Sequence, residues 1–164
     1  MDLEVLTRPV RPDDELRFVR LWPRLSAETR YRRFHAPGHR FPMSFVRRLV
    51  VVDHDLREAV VAEVGGEVVG VARYDRLPGD PATAELAVVV EDAWQGVGLG
   101  RQLLTELLRL AAERGVRTLT ATVQADNERM LGMLRRLLPS ARLVAEDGVY
   151  AVTAAVADAA PVRR

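Results

Sequence analysis

The sequence predicts a single mixed α/β domain. Three observations carry that expectation. The chain has 164 residues, the length of one domain. Its composition, 48% hydrophobic and 29% charged, is that of a core-forming chain rather than a disordered one. Helical patterns and a hairpin come first, followed by strand, helix, strand, helix and strand. The domain is assigned to residues 1–157, and residues 158–164 are expected to fray.

Leu3 to Thr7 reads as a short strand, punctuated by Pro9 and Pro12. Asp13 or Asp14 is placed to cap a helix running to about Trp22. Ser26 opens a second short helix, and Pro42 a third through Phe45, Val46 and Leu49. Ala59–Val64 and Val68–Ala72 are apolar, valine-rich runs across Gly65-Gly66, a hairpin signal. Residues 77–81 read as a loop. Ala84 to Val90 is apolar except for Glu85, which predicts a central strand covered on both faces. From Val97 to Arg114, Leu103, Leu104, Leu107, Leu108 and Ala111 recur at helical spacing, and Gly115 ends the run. Thr118 to Val123 reads as a strand. Asp126-Asn127 can cap a helix through Met130, Leu134 and Leu137, stopped by Pro139. Two further strands are expected near Leu143 and over Val149–Val156.

The formal net charge of +1 argues against a nucleic-acid binder, which carries a basic excess. All the basic residues are arginine, so the chain offers no lysine side chain for modification. It has no cysteine, which excludes disulfides, thiolate metal sites and cysteine nucleophiles. His35, His39 and His54 lack ligand spacing, so no metal site is expected. The first residues lack signal-peptide order and no apolar run is long enough to span a bilayer. A soluble cytoplasmic protein with no membrane partner is expected.

Trp94-Gln95-Gly96-Val97-Gly98-Leu99-Gly100-Arg101 is the most informative stretch. It joins an apolar strand to the strongest helix. Glycines admit positive φ and close ligand approach, and a helix start offers unpaired N–H groups. The turn therefore reads either as a phosphate cradle or as a tight strand–helix connection. A P-loop would need a lysine, and a dinucleotide fingerprint would need glycine where Arg101 stands.

Gln95-x-x-Gly98-x-Gly100, after Ala84–Val90 and before Leu103-Leu104, resembles the acetyl-CoA signature of the GNAT N-acetyltransferases. The resemblance extends to Thr7–Asp14, similar to a family opening, and to Asn127–Leu131 after the next strand. It covers roughly Leu3 to Leu137. It implies a mostly antiparallel mixed sheet, splayed at the cofactor site and flanked by helices, with acetyl-CoA as co-substrate. By the same resemblance, the backbone of Val88, Val89 and Val90 pairs with the pantetheine arm. The N–H groups of Gln95, Gly96, Val97, Gly98, Leu99, Gly100 and Arg101 hold the pyrophosphate, and Asn127 bonds the cofactor. Helix capping remains the alternative for Asn127, and a solvated side chain the alternative for Arg101.

An alkyl amine has a pKa near 10.4, so transfer needs a proton acceptor. Glu85 is the candidate base, the lone charge in its strand. A carboxylate among valines is expected to be desolvated, which raises its pKa. Lysine-modifying relatives carry a glutamate in a similar Ala-Glu-apolar strand. Glu91 is the runner-up, and N–H groups near Val88 can stabilise the oxyanion. Many relatives place a thiolate-protonating tyrosine where Leu134 stands. Tyr31, Tyr74 and Tyr150 are read as packing residues.

Leu25–Phe34 and Gly70–Tyr74 resemble segments of bacterial protein lysine acetyltransferases. That implies a protein substrate with an acceptor lysine, with a small-molecule amine or a non-catalytic acyl-CoA sensor as alternatives. The chain is then a free-standing catalytic domain or a piece of a longer one. Arg30, Arg32, Arg33, Arg40, Arg47 and Arg48 read first as a solvated helix face, with an acidic protein substrate or the cofactor's phosphates as the alternative partner.

Overall fold

The computed structural model describes residues 4–34 and 42–159. Leu3, His35, His39, Arg40 and most of the expected frayed tail, residues 160–164, lie outside the described residues.

The strands are β1 (Leu6–Pro9), β2 (Arg57–Val64), β3 (Glu67–Leu77), β4 (Asp80–Val90), β5 (Thr118–Gln124), β6 (Arg142–Glu146) and β7 (Val149–Ala155). The helices are α1 (Glu15–Leu21), α2 (Ala27–Phe34), α3 (Met43–Val50), α4 (Leu99–Glu113) and α5 (Glu128–Leu137). The seven strands form one sheet in the order β1-β2-β3-β4-β5-β7-β6. Every pairing is antiparallel except β4 with β5.

Local chemistry sets the turns. Gly65 and Gly66 have φ of 57° and 81°, the positive values a tight β2–β3 hairpin demands. The expected loop over 77–81 is largely strand: β3 runs to Leu77 and β4 begins at Asp80. Arg76 Nη1 bonds the Pro81 carbonyl at 2.8 Å, closing the hairpin where proline removes a ladder donor.

Two cores lie on the two faces of the sheet. The larger packs Leu103, Leu104, Leu107 and Leu108 of α4 and Leu131, Leu134 and Leu137 of α5 against Ala84, Leu86 and Val90. The smaller packs Phe18 and Leu21 of α1 and Val46, Leu49 and Val50 of α3 against Ala59, Val61, Val71 and Val89. The expectation that β4 is covered on both faces therefore holds only at its Val89 end. The smaller core stops there, and Glu85 is exposed.

Asp14 differs from its expected role as a helix cap. Its side chain makes no cap bond to α1. It is wholly buried and takes Arg8 in a fork, Nη2 at 2.7 Å and Nη1 at 2.8 Å. The Arg11 N–H donates to it at 2.8 Å and Arg17 lies at 3.2 Å. Burial pushes this carboxyl up, but the Arg8 bonds, the Arg11 N–H and the Arg17 charge together hold it below its ordinary value. Glu58 is likewise fully buried, bonded by Arg114, by His54 Nδ1 at 2.9 Å and by the Ala59 N–H at 2.8 Å.

Candidate active site

The sheet opens between β4 and β5. Their parallel ladder covers only Thr83–Thr118, Ala84–Leu119 and Glu85–Thr120. Beyond Glu85, β4 keeps β3 as its partner and parts from β5. The Glu91 N–H bonds the Val69 carbonyl at 2.8 Å, which fixes the parity of the β3–β4 ladder. Val89 and Val71 are then a hydrogen-bonded pair, whereas Val88 and Ala72 are not. So the Val88 N–H and C=O face the opening, while those of Val89 turn toward β3. The Val90 carbonyl also faces the opening but accepts Gln95 Nε2 at 2.9 Å.

The glycine turn follows at once. Gly96 and Gly98 have φ of 78° and 88°, a region glycine enters without strain. None of the N–H groups from Gly96 to Arg101 has an acceptor among the described residues, whereas the Gln95 N–H, expected in the same row, donates to the Asp92 carbonyl at 3.2 Å and so is not free. The first bond into α4 is from Gln102 N–H to the Gly98 carbonyl, at 3.1 Å. A row of free donors at the start of a 15-residue helix suits a pyrophosphate. Val97 and Arg101 are exposed beside it, and Leu99 is buried. A Cβ on Gly98 would meet nothing within 4 Å, so backbone shape, not crowding, reserves this place for glycine. Gly98→Ala should keep the fold and weaken acetyl-CoA binding about tenfold, matching roughly 1–2 kcal/mol of left-handed strain. A calorimetric Kd equal to the native value would refute this.

The turn is tied to the helices on the smaller-core face. Asp92 accepts the Ser26 N–H at 2.8 Å and the Thr29 hydroxyl at 3.0 Å. Gln95 Nε2 reaches the same Thr29 hydroxyl at 3.2 Å. Burial pushes the Asp92 carboxyl up, but its Ser26 and Thr29 bonds hold it below its ordinary value. Asn127 caps α5, accepting the Met130 N–H at 3.3 Å. That bond uses its oxygen and leaves its amide NH2 as the group a ligand can take.

Glu85 stands where the ladder ends. The smaller core does not reach it, so its side chain is exposed rather than buried among the valines of its strand. Its register partner on β3 is Asp75, which Arg57 holds at 3.0 Å. Glu91, the runner-up, pairs with Arg24 at 3.1 Å and is committed to that bridge. Leu134 is buried in the larger core, and Tyr74 is fully buried, with its hydroxyl on the Asp55 carbonyl at 3.1 Å. Tyr31 departs from its expected packing role, being 47% exposed on a short helix with no buried residue.

Sequence reasoning assigned no role to Arg73. It lies on the face that carries Val71 and Val89, and only 3% of its surface is exposed. Together with Arg33, Phe18, Trp22, Leu25 and Val89 it lines a cavity of about 30 Å³. Its parity was the available signal, since an arginine two residues after a core valine must enter the smaller core. The solvated-face reading of the arginine cluster fits Arg47 and Arg48, which are exposed, but not Arg33 or Arg30. Arg30 lies over the Trp22 ring at 4.8 Å and bonds the Trp22 carbonyl.

The Acetyltransferase (GNAT) family matches residues 18–138. Acetyltransferase PA5475 of Pseudomonas aeruginosa is 32% identical over 130 residues, 77% of this chain and 69% of that protein. The L-methionine sulfoximine/L-methionine sulfone acetyltransferase of Pseudomonas paraeruginosa is 38% identical over 81 residues, 48% of this chain and 47% of that protein. The crystal structure of the GNAT domain of S. lividans PAT superposes with a TM-score of 0.83 at 32% identity, covering 91% of this chain and 89% of that one. The open sheet and free N–H row accord with these matches, and the chain belongs to the GNAT family of acetyltransferases, enzymes that use acetyl-CoA.

Proposed function

We propose that the protein acetylates a lysine side chain of a protein substrate, by direct attack of the amine, with Glu85 as the general base. One observation carries this reading. Glu85 is the last β4 residue paired with β5, and its side chain is exposed beside the opening. A carboxylate there is reachable from solvent by a side chain borne on another protein.

Acetyl-CoA supplies the acyl group as a thioester. The free N–H row of Gly96–Arg101 holds its pyrophosphate, and the Val88 backbone pairs with its arm, with support from Asn127; Gln95 and Val90 shape the opening through their own hydrogen bond, and Val89, whose backbone turns toward β3, gives the arm no partner. Glu85 accepts the proton that the amine sheds as the N–C bond forms. The Val88 N–H donates to the carbonyl oxygen as charge gathers there. The leaving thiolate, with a thiol pKa near 8.5, departs without a strong acid, so Leu134 in place of a tyrosine is tolerated. Similarity to the S. lividans PAT domain over nearly the whole chain favours a protein acceptor. Among the described residues no helix is long and apolar enough to cross a membrane. A chain without cysteine suits the reducing cytoplasm, where we place the reaction.

A small-molecule amine is the second reading, favoured by the 38% identity over 81 residues to the L-methionine sulfoximine/L-methionine sulfone acetyltransferase. Acetyl-CoA-dependent thiol release with proteins, lysine peptides, polyamines and amino acids separates the two. Release with a protein, mapped to a lysine by mass spectrometry, supports the first. Release with amino acids or polyamines alone supports the second. Binding of acetyl-CoA without release on any acceptor favours a sensing module.

A further inference from the structure

Arg73 is a buried cation with too few partners. Its Nη1 reaches the Leu49 carbonyl only at 3.4 Å. Its Nη2 has no hydrogen-bond partner and lies 3.8 Å from an Asp75 oxygen. Asp75 is half-exposed and already engaged by Arg57. Burial lowers the Arg73 pKa to about 10; Asp75 opposes that shift, while Arg33, Arg57 and Arg48 add to it by repulsion. Arg33, from α2, lines the same cavity; its guanidinium lies 4.6 Å over the Phe34 ring and has no hydrogen bond or ion pair among the described residues. Burial lowers its pKa too, against the attraction of Asp75 and Glu85. Two guanidiniums thus meet in an apolar pocket without an anion of their own, an arrangement that leaves donors unsatisfied.

The position of the pocket gives it a use. Arg73 is the register partner of Ala87, which stands between Glu85 and Val89 on the same face of β4. A group seated on Arg73 is therefore one small side chain away from the base. We infer that this cavity is a carboxylate subsite, in which Arg73 and Arg33 hold a carboxylate of the acceptor while its amine lies at Glu85. A carboxylate supplies the acceptor oxygens the guanidinium fork lacks. That the occupant belongs to the acceptor rests on the acetyl-transfer reading. The subsite itself does not. The carboxylate has two sources, a free amino acid or an acidic side chain near the lysine of a protein.

The subsite is tested first without acetyl transfer. Sodium butyrate and butyramide have the same shape, and only the first is charged. In an amide NMR titration at fixed ionic strength, butyrate should shift Val71, Arg73 and Val89 at millimolar concentration, and butyramide should not. Arg73→Met should lose the butyrate response at least tenfold, and Arg73→Lys should keep part of it. Equal shifts from both probes, no shift from either, or undiminished butyrate binding in Arg73→Met would overturn the subsite. If Arg73→Met fails to fold, the two probes on the native chain and Arg73→Lys still decide it.

The acceptor arm compares L-lysine with cadaverine, and an Asp-Lys peptide with its Asn-Lys counterpart. A tenfold or greater preference in kcat/KM within the first pair, lost in Arg73→Met, identifies a free amino acid. The same preference within the second pair identifies an acidic side chain. Equal rates within both pairs overturn the acceptor assignment. Butyrate binding without acetylation of any acceptor overturns the transfer reading and leaves the subsite standing.

Discussion

Glu85→Gln should leave the acetyl-CoA Kd within about twofold of native and reduce turnover by about 10²- to 10⁴-fold, the usual worth of a positioned base. Glutamine has the same shape but accepts no proton at neutral pH. The side chain is exposed and outside both cores, so the change should leave folding stability nearly untouched. In the proposed binding mode acetyl-CoA draws on the Val88 backbone and the glycine turn, neither of which changes. Asp75 lies directly across the β3–β4 ladder and is the group able to support residual activity, although Arg57 holds it. Double substitution of Glu85 and Asp75 should therefore fall below Glu85→Gln alone. Single-turnover rates with an acceptor identified by thiol release give the measurement. A native rate in Glu85→Gln removes the base assignment.

Arg8→Met should cost about 3–5 kcal/mol of unfolding free energy at neutral pH, the range for breaking a buried ion pair. Against a typical domain stability of about 5–15 kcal/mol this is a large loss. The cause is Asp14, which stays wholly buried with its principal partner gone. The pH dependence carries a sign. In the native protein the Asp14 carboxyl is held below its ordinary value of 3.8. Its contribution is therefore present above pH 3.8 and lost as pH falls through the lower folded value. Without Arg8, burial acts with less opposition and the folded carboxyl binds its proton more readily. The penalty of Arg8→Met should then narrow on acidification, because a protonated Asp14 is cheaper to bury. Urea denaturation of both proteins at pH 7 and pH 4 measures the difference. A constant gap would mean that Arg8 acts through packing or through Glu63, which it also bonds at 2.8 Å.

The fold was legible where local chemistry decides it. The Gly65-Gly66 hairpin, the amphipathic α4 and the Asn127 cap of α5 all stand where their residues place them. The glycine turn was legible for the same reason, since Gly96 and Gly98 adopt the positive φ that only glycine accepts freely. What the sequence concealed depends on which helix covers which part of the sheet. Glu85 looks buried by its neighbours Ala84 and Leu86, but those point to the opposite face, beneath α4. Arg73 shares a face with Val71 by alternation, a signal the sequence held, but only the helices that cover that face show it to be buried. Asp14 reads as a cap because aspartate precedes a helix, whereas its true partner, Arg8, comes from the other side of a turn. Val88 and Val89 are alike in sequence, and only ladder parity gives one of them free backbone groups.

That parity has a consequence for how the protein survives its own architecture. An unpaired strand edge ordinarily invites other chains to add to it and begins aggregation. Here such an edge lies in the middle of a seven-stranded sheet rather than at its rim. The flanking β5 and the glycine turn leave a notch, not a flat border. The unpaired stretch is short, because β4 pairs with β5 up to Glu85 and leaves the sheet at Val90. A short edge set inside the sheet leaves little ladder for another sheet to extend, so position rather than charge guards the Val88 groups against self-association.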